Sequence, residues 1–388
     1  MNNSEKTIKK LSLPLFLISL PLTVMNVLLP IYTSSLGLTP IQITGLFSVF
    51  SLGLVIIRLF IGYITDKSGR KPIFVLGILF YLLSYYIFSI ASSILLVYIG
   101  RSLQSIADVF ISISTYSIIA DQNMKNNARS LGLLDSYSEK GGLLGVILCF
   151  WVLNTQELVD GWSRLFILCT IASIIAFIYS IINLKETKPE KSNNLPNVSM
   201  PRNKDKMIFF NLIVRIFTSL TFSIFVLYLQ HKFGSDLMEI GIAFLLPTVI
   251  IAFASPELGK ISDNIGSKKS FSISLGVLAI TSLILPYMNS IYLYGVIWTF
   301  YGIAFTLFSL TLDSIYVIGI SEEVRGFAVG KLTMGANIGT IIGPLIAGFT
   351  FQKISINAPF YISFFGITML LIFKSKFISV DSKIIENK

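Results

Sequence analysis

Two acids that would share one face of a helix, Asp135 and Glu139, sit inside an apolar stretch of this 388-residue chain. At i and i+4 their carboxylates would lie about 6 Å apart. In a poorly hydrated setting two such groups cannot both stay charged at low cost, so the pair reads as a proton carrier. Asp108 and Asp313 stand singly in other apolar runs and are the second choice for that role; Glu257 marks the end of a further run. The cations Arg58, Arg101, Lys140 and Arg215 are embedded in the same way. Charge in such a run is costly and is by default a functional candidate. Arg101 and Asp108 share a helical face but stand seven residues, roughly 10.5 Å, apart. Each is therefore expected to meet a group on another helix, with Lys140 or Asp135 as candidates. A fixed salt bridge that fastens helices together is the alternative.

Arg101, Ser105, Asp108, Ser112 and Thr115 follow i, i+4, i+7, i+11 and i+14 spacing, which puts a polar stripe on an otherwise apolar helix. Such a stripe is expected to line a watery cavity. Arg101, Gln104, Ser105, Asn26, Lys140 and Arg215 are its candidate substrate contacts. No catalytic residues, metal ligands or cofactor are assigned, because the sequence holds one His, no metal-ligand cluster, no phosphate-binding loop and no Cys/His pair. His231 reads as an interfacial residue. Cys149 and Cys169 both fall in apolar runs and are expected to be packed thiols rather than a disulfide.

The elements that hold these groups follow from composition. Apolar residues make up 54%, charged residues 13%, and mean hydropathy is +0.78, which excludes a water-soluble globule. The 31 Phe, 16 Tyr and 3 Trp exclude a disordered chain, and two Cys exclude a disulfide-stapled one. Apolar runs centred near Leu22, Gly53, Tyr81, Ile106, Gly142 and Ser173, and near Thr218, Ile250, Leu278, Phe305, Gly339 and Thr368, give twelve spans of roughly 20 residues each. The expected fold is an all-α membrane protein, with twelve transmembrane helices in two pseudo-symmetric six-helix bundles. The bundles are expected over residues 1–184 and 207–388, joined by a polar linker at 185–206 that contains Pro189, Pro196 and Pro201. The run from Leu11 to Tyr32 carries Pro14, Pro21 and Pro30 and no cleavage site, so it reads as the first span rather than a signal peptide.

The net charge of +10 reads as orientation rather than as a nucleic-acid partner. Of the 30 Lys and Arg, four are Arg58, Arg101, Lys140 and Arg215 within spans, and three are Arg164, Lys232 and Lys353 in one set of loops. All the others fall at the termini or in the opposite loops. The positive-inside rule then places both termini in the cytoplasm of a multi-pass cell-membrane protein, expected to be a monomer.

The two halves repeat. Gly62, Asp66, Gly69 and Lys71 recur at one constant offset as Gly259, Asp263, Gly266 and Lys268, and Gly132 is echoed by Gly330. Parallel six-helix repeats predict a binding site near the midplane between them. The segment Gly62 to Lys71 resembles, at every defined position, the Gly-x-x-x-Asp-Arg/Lys-x-Gly-Arg-Arg/Lys loop signature of the major facilitator superfamily, with a degenerate copy at Gly259 to Lys268. Arg101 to Ser105 is similar to that family's Arg-x-x-Gln-Gly signature, with Ser105 in place of glycine. The family's fifth-span antiporter signature lacks its proline here, whereas Gly339, Gly343, Pro344, Ala347 and Gly348 of span eleven come close to it. Packing of small residues between helices is the plainer reading of those glycines.

The resemblance implies a secondary transporter working by alternating access. Gly62, Asp66, Lys67, Gly69, Arg70, Lys71 and Asp263 would form its gate, in which Asp66 faces the N-terminal end of the eleventh helix and pairs with Arg70 or Lys67. Proton-coupled export of a small amphipathic compound is the leading expectation. A sugar or organic-anion symporter or uniporter is the alternative, and a membrane-embedded enzyme or receptor is disfavoured. The partners expected are a small-molecule substrate, protons and the lipid bilayer.

Overall fold

The computed structural model describes residues 3–121, 127–155, 157–188, 203–234, 237–318, 320 and 322–377. Its helices are α1 (Asn3–Ile18), α2 (Leu22–Ser35), α3 (Pro40–Ser68), α4 (Arg70–Ser89), α5 (Ile94–Asp121), α6 (Asn127–Thr155), α7 (Leu158–Asn183), α8 (Asn203–Phe233), α9 (Leu237–Ile265), α10 (Ser267–Ile284), α11 (Ile291–Val317), α12 (Glu322–Lys353) and α13 (Ala358–Phe373). Among the described residues there is no strand. Among the described residues nine stretches are long and apolar enough to cross a bilayer, one of them being α1 and α2 taken together over Thr7–Ser35. Adding α6, α9 and α13 completes the twelve spans. Most of the polar linker, residues 189–202, lies outside the described residues.

A helix satisfies its backbone groups within a single segment, as lipid demands, and the prolines show where the first span departs from it. Pro21 cannot donate to the preceding turn, so the helix stops at Ile18 and restarts at Leu22. At this break α6 packs closely against α1 and α2. A Cβ added at Gly145 would lie 1.6 Å from the Leu20 carbonyl oxygen, and one at Gly141 2.2 Å from the carbonyl of Phe16. Only glycine permits this backbone-to-backbone approach.

The chain divides into two compact units. One comprises Met1–Leu38 and Val49–Leu195, the other Thr39–Ser48 and Pro196–Lys388. Each repeats the other's internal pairing. In the first unit α6 packs on α1 and α2, α4 on α5, and α7 on α4 and α1; in the second α12 packs on α8, α10 on α11, and α13 on α10 and α8. The glycines of span eleven serve the same end as those of span five. A Cβ at Gly339 would lie 2.4 Å from the carbonyl of Leu212, and one at Gly343 2.5 Å from that of Ile216.

Each unit is closed by an aromatic cluster whose polar tips reach helix ends. In the first, Tyr32 and Trp162 stack at 4.1 Å, and the Trp162 indole donates to the Phe88 carbonyl at 2.6 Å. In the second, Tyr228, Tyr294 and Phe360 meet, and the Tyr228 hydroxyl donates to Asn357 Oδ1 at 3.0 Å. Cys149 and Cys169 are buried free thiols.

Candidate functional site

The polar stripe of α5 is partly a packing feature. Arg101 is buried, its Nη1 donates to Gln104 Oε1 at 2.6 Å, and its guanidinium lies 4.2 Å from the centroid of Phe50 on α3. One turn on, Ser105 is 1% exposed and donates to the Ser102 carbonyl; a Cβ at Gly53 of α3 would lie 1.9 Å from its hydroxyl. Ser105 therefore occupies a helix crossing, which accounts for a small residue there. Farther along, Asp108 is half-buried and accepts from the Tyr81 hydroxyl of α4 at 3.2 Å, within the field of Arg58 and Arg101. Ser112 is exposed. The partners of Arg101 and Asp108 thus include a ring, an amide and a phenol.

The remaining candidates lie apart. Asp135, Glu139 and Lys140 are exposed on α6, and the Lys140 ammonium lies over the ring of Tyr137 at 5.1 Å. Asn26 is half-buried on α2, and Asp313 is exposed near the end of α11.

A cavity of about 380 Å³ opens within the second unit, between α8, α9, α11 and α12. Its wall is aromatic. Phe222, Trp298 and Tyr301 form a stacked run, with Trp298 and Tyr301 at 5.0 Å and only 7° from parallel. The Tyr301 hydroxyl donates to the Thr218 carbonyl at 3.0 Å, which fixes that ring. Among the lining residues Arg215 carries the one formal charge. Its guanidinium lies 4.5 Å from the Phe305 centroid, Nη2 donates to Ser309 Oγ at 3.2 Å, and the buried Nε has no acceptor among the described residues. A cation on an aromatic face keeps its edges free for a ligand.

At the Gly62–Lys71 loop the structure adds partners that the signature does not contain. Gly69 has φ +98° and precedes α4; Gly266, its repeat, has φ +91° and precedes α10. Both conformations favour glycine. The Glu186 carboxylate, just beyond α7, accepts from the backbone N–H of Arg70 at 2.9 Å and of Lys71 at 3.2 Å, the unsatisfied donors of the first turn of α4. It also accepts from the backbone N–H of Thr187 and of Lys188. Burial alone would raise the Glu186 carboxyl, but these four donors outweigh it and hold it below its ordinary value. Arg70 pairs through Nε with Asp121 Oδ2 at 2.9 Å and donates from Nη1 to the last turn of α3 at the Thr65 carbonyl. Lys188 donates to the Lys67 carbonyl at 2.9 Å, and Lys71 to the Ile181 carbonyl at 2.8 Å. The ends of α3, α4, α5 and α7 are thereby clasped together inside one unit.

The side chain of Asp66 lies outside the described residues, Gly62 and Lys71 are half-buried, and Lys67 and Asp263 are exposed. Asp121 and Glu186 were missed by reasoning from sequence. The signal for Glu186 was a Lys-Glu-Thr-Lys run directly after the sixth span, read there as plain linker.

A sequence model of the Major Facilitator Superfamily matches residues 11–211 and, a second time, 207–383. Multidrug resistance protein 1 of Bacillus subtilis is 26% identical over 326 residues, 80% of this chain and 81% of that protein. The class H tetracycline resistance protein of Pasteurella multocida is 24% identical over 326 residues, 79% of this chain and 78% of its own. In fold, the chain is similar to the crystal structure of a bacterial homolog of the human lysosomal transporter Spinster in an inward-facing, occupied conformation. The TM-score is 0.72 at 15% identity, covering 96% of this chain and 94% of that one.

Proposed function

From the premise that the chain belongs to the Major Facilitator Superfamily and is a membrane transporter rather than an enzyme, we propose that it exports a small amphipathic compound by alternating access, driven by protons moving the other way. The observation that carries the reading is the cavity of the second unit. A volume of about 380 Å³ lies in the range of small-molecule sites, and an aromatic wall with a single cation suits a ligand that is part apolar and part polar. The proteins to which the chain is similar are named for resistance to multiple drugs and to tetracycline, which supports efflux.

Asp135 and Glu139 carry the protons in this reading, with Asp108 and Asp313 behind them. An exposed carboxylate on a spanning helix faces either lipid or an aqueous path, and the cost of charge in lipid favours the path. Both termini lie in the cytoplasm of the cell membrane, and the protein works as a monomer. The Gly62–Lys71 loop and Asp263 form the gate, so Asp66→Asn slows turnover while substrate affinity stays within a few-fold.

The test is accumulation of fluorescent aromatic compounds by proteoliposomes with an acid-loaded lumen. Uptake above equilibrium that collapses with a protonophore is the expected result. Movement only down the compound's own gradient, at the same rate with and without the pH difference, would replace the antiporter with a uniporter.

A further inference from the structure

Resting on the transport reading, we propose that the cavity of the second unit selects a planar aromatic anion, its carboxylate held by Arg215 and its ring laid against the aromatic lining at Phe222 and Phe305. The argument begins with the cavity's hydroxyls. Thr218, Ser219, Thr248, Thr306 and Thr340 all line it, and each donates to a carbonyl of its own helix at 2.8 to 3.0 Å. Their protons are already used, so none is left over to recognise a ligand. Arg215 differs. It has five N–H donors, of which the described residues accept one, and its buried Nε is without an acceptor.

A buried donor left unpaired costs more than the net value of a typical hydrogen bond, and a carboxylate satisfies it with charge assistance and in fork geometry. Among the described residues no carboxylate fills that place. Asp313 acts on Arg215 only through its field, forms no ion pair with it and does not line the cavity. A lipophilic cation would meet the guanidinium with no acid to offset it. Trp298 and Tyr301 stack on each other and are nearly covered, so the flat area of the lining is that of Phe222 and Phe305, and the apolar part of the ligand is best served by another flat ring.

The experiment uses the full-length protein in detergent and three probes of one shape: 2-naphthoate, 2-naphthamide and 2-naphthylmethylammonium, titrated by calorimetry at neutral pH. Naphthoate should bind at least about tenfold tighter than the amide, with the ammonium weakest. Arg215→Gln should bring naphthoate down to the level of the amide and leave the amide within about twofold, and Arg215→Lys should keep the order. The charge series on the wild-type protein decides the matter even if both variants fail to fold. Equal affinities, or a preference for the ammonium, would overturn the assignment. Competition by phosphatidylglycerol of comparable strength would also overturn it, by giving the cavity to a lipid headgroup. The two readings fail separately. Naphthoate preference without any movement in proteoliposomes removes transport and leaves the site, whereas proton-driven accumulation of the ammonium probe, unchanged by Arg215→Gln, removes the anion and leaves transport.

Discussion

The clasp at Gly69 and Glu186 makes a prediction that the internal repeat turns into a controlled experiment. Gly69 has φ 98° and ψ 165°, a region open essentially to glycine, and an alanine held there costs about 1–3 kcal/mol. The added Cβ would also lie 2.4 Å from Glu186 Oε2 and 2.9 Å from Glu186 Cδ. At Gly266, the equivalent position, φ is 91° but a Cβ meets nothing within 4 Å. Gly266→Ala therefore pays the backbone cost alone, and Gly69→Ala pays it together with loss of the carboxylate cap. Such a cap is worth about 1 kcal/mol, and less where the group is exposed, as Glu186 is. In a unit of this size about 1 kcal/mol corresponds to about 2–4 °C. Glu186→Ala should lower the apparent melting temperature in detergent, at fixed scan rate, by a few degrees. Gly69→Ala should lower it by more than Gly266→Ala, and in a Glu186→Ala background the two glycine variants should cost the same. The pH dependence has a definite sign. Glu186 is held below its ordinary value of 4.5, so its contribution is complete above that value and is lost as pH falls through the depressed one. The gap between wild type and Glu186→Gln should thus be constant above the ordinary value of 4.5 and close as pH falls below it. Equal effects of the two glycine substitutions, with additivity in the double variant, would refute the clasp.

Asp135→Asn or Glu139→Gln should abolish uphill transport driven by a proton gradient yet preserve downhill exchange in liposomes; if these and the neutralised Asp108 and Asp313 variants all keep gradient-driven accumulation, the acids are not the carriers. A cysteine at Ser112, which is exposed, should react with an aqueous thiol reagent, whereas one at Ser105, 1% exposed and wedged against Gly53, should not. Equal labelling of the two would mean that the crossing of α3 and α5 opens in solution. Gly145→Ala places a Cβ 1.6 Å from the Leu20 carbonyl and should prevent a monodisperse protein from forming, whereas Gly132→Ala meets nothing within 4 Å and should be neutral or stabilising by about 0.5–1 kcal/mol, read as melting temperature.

Spans, their number and the duplicated loop were legible because each depends on properties that neighbours in the chain carry by themselves. A run of about 20 apolar residues must satisfy its backbone internally wherever it packs, so hydropathy determines a helix before any partner is known. Gly69 and Gly266 were legible for the same reason, since a left-handed turn is a local demand. The buried charges could be found but not matched. Arg101 faces Phe50 and Arg215 faces Phe305, and neither ring stands at a spacing that marks it. Arg70 meets Asp121, and the first turn of α4 meets Glu186, across separations of 51 and 116 residues. Ser105 looked like part of a watery stripe because helical period gives a face but not what covers it, and α3 covers it at Gly53. Sequence by itself determined which segments cross the membrane and which charges they carry. Tertiary structure decided which helix lies against each charge, because contacts at long separation depend on how whole helices pack.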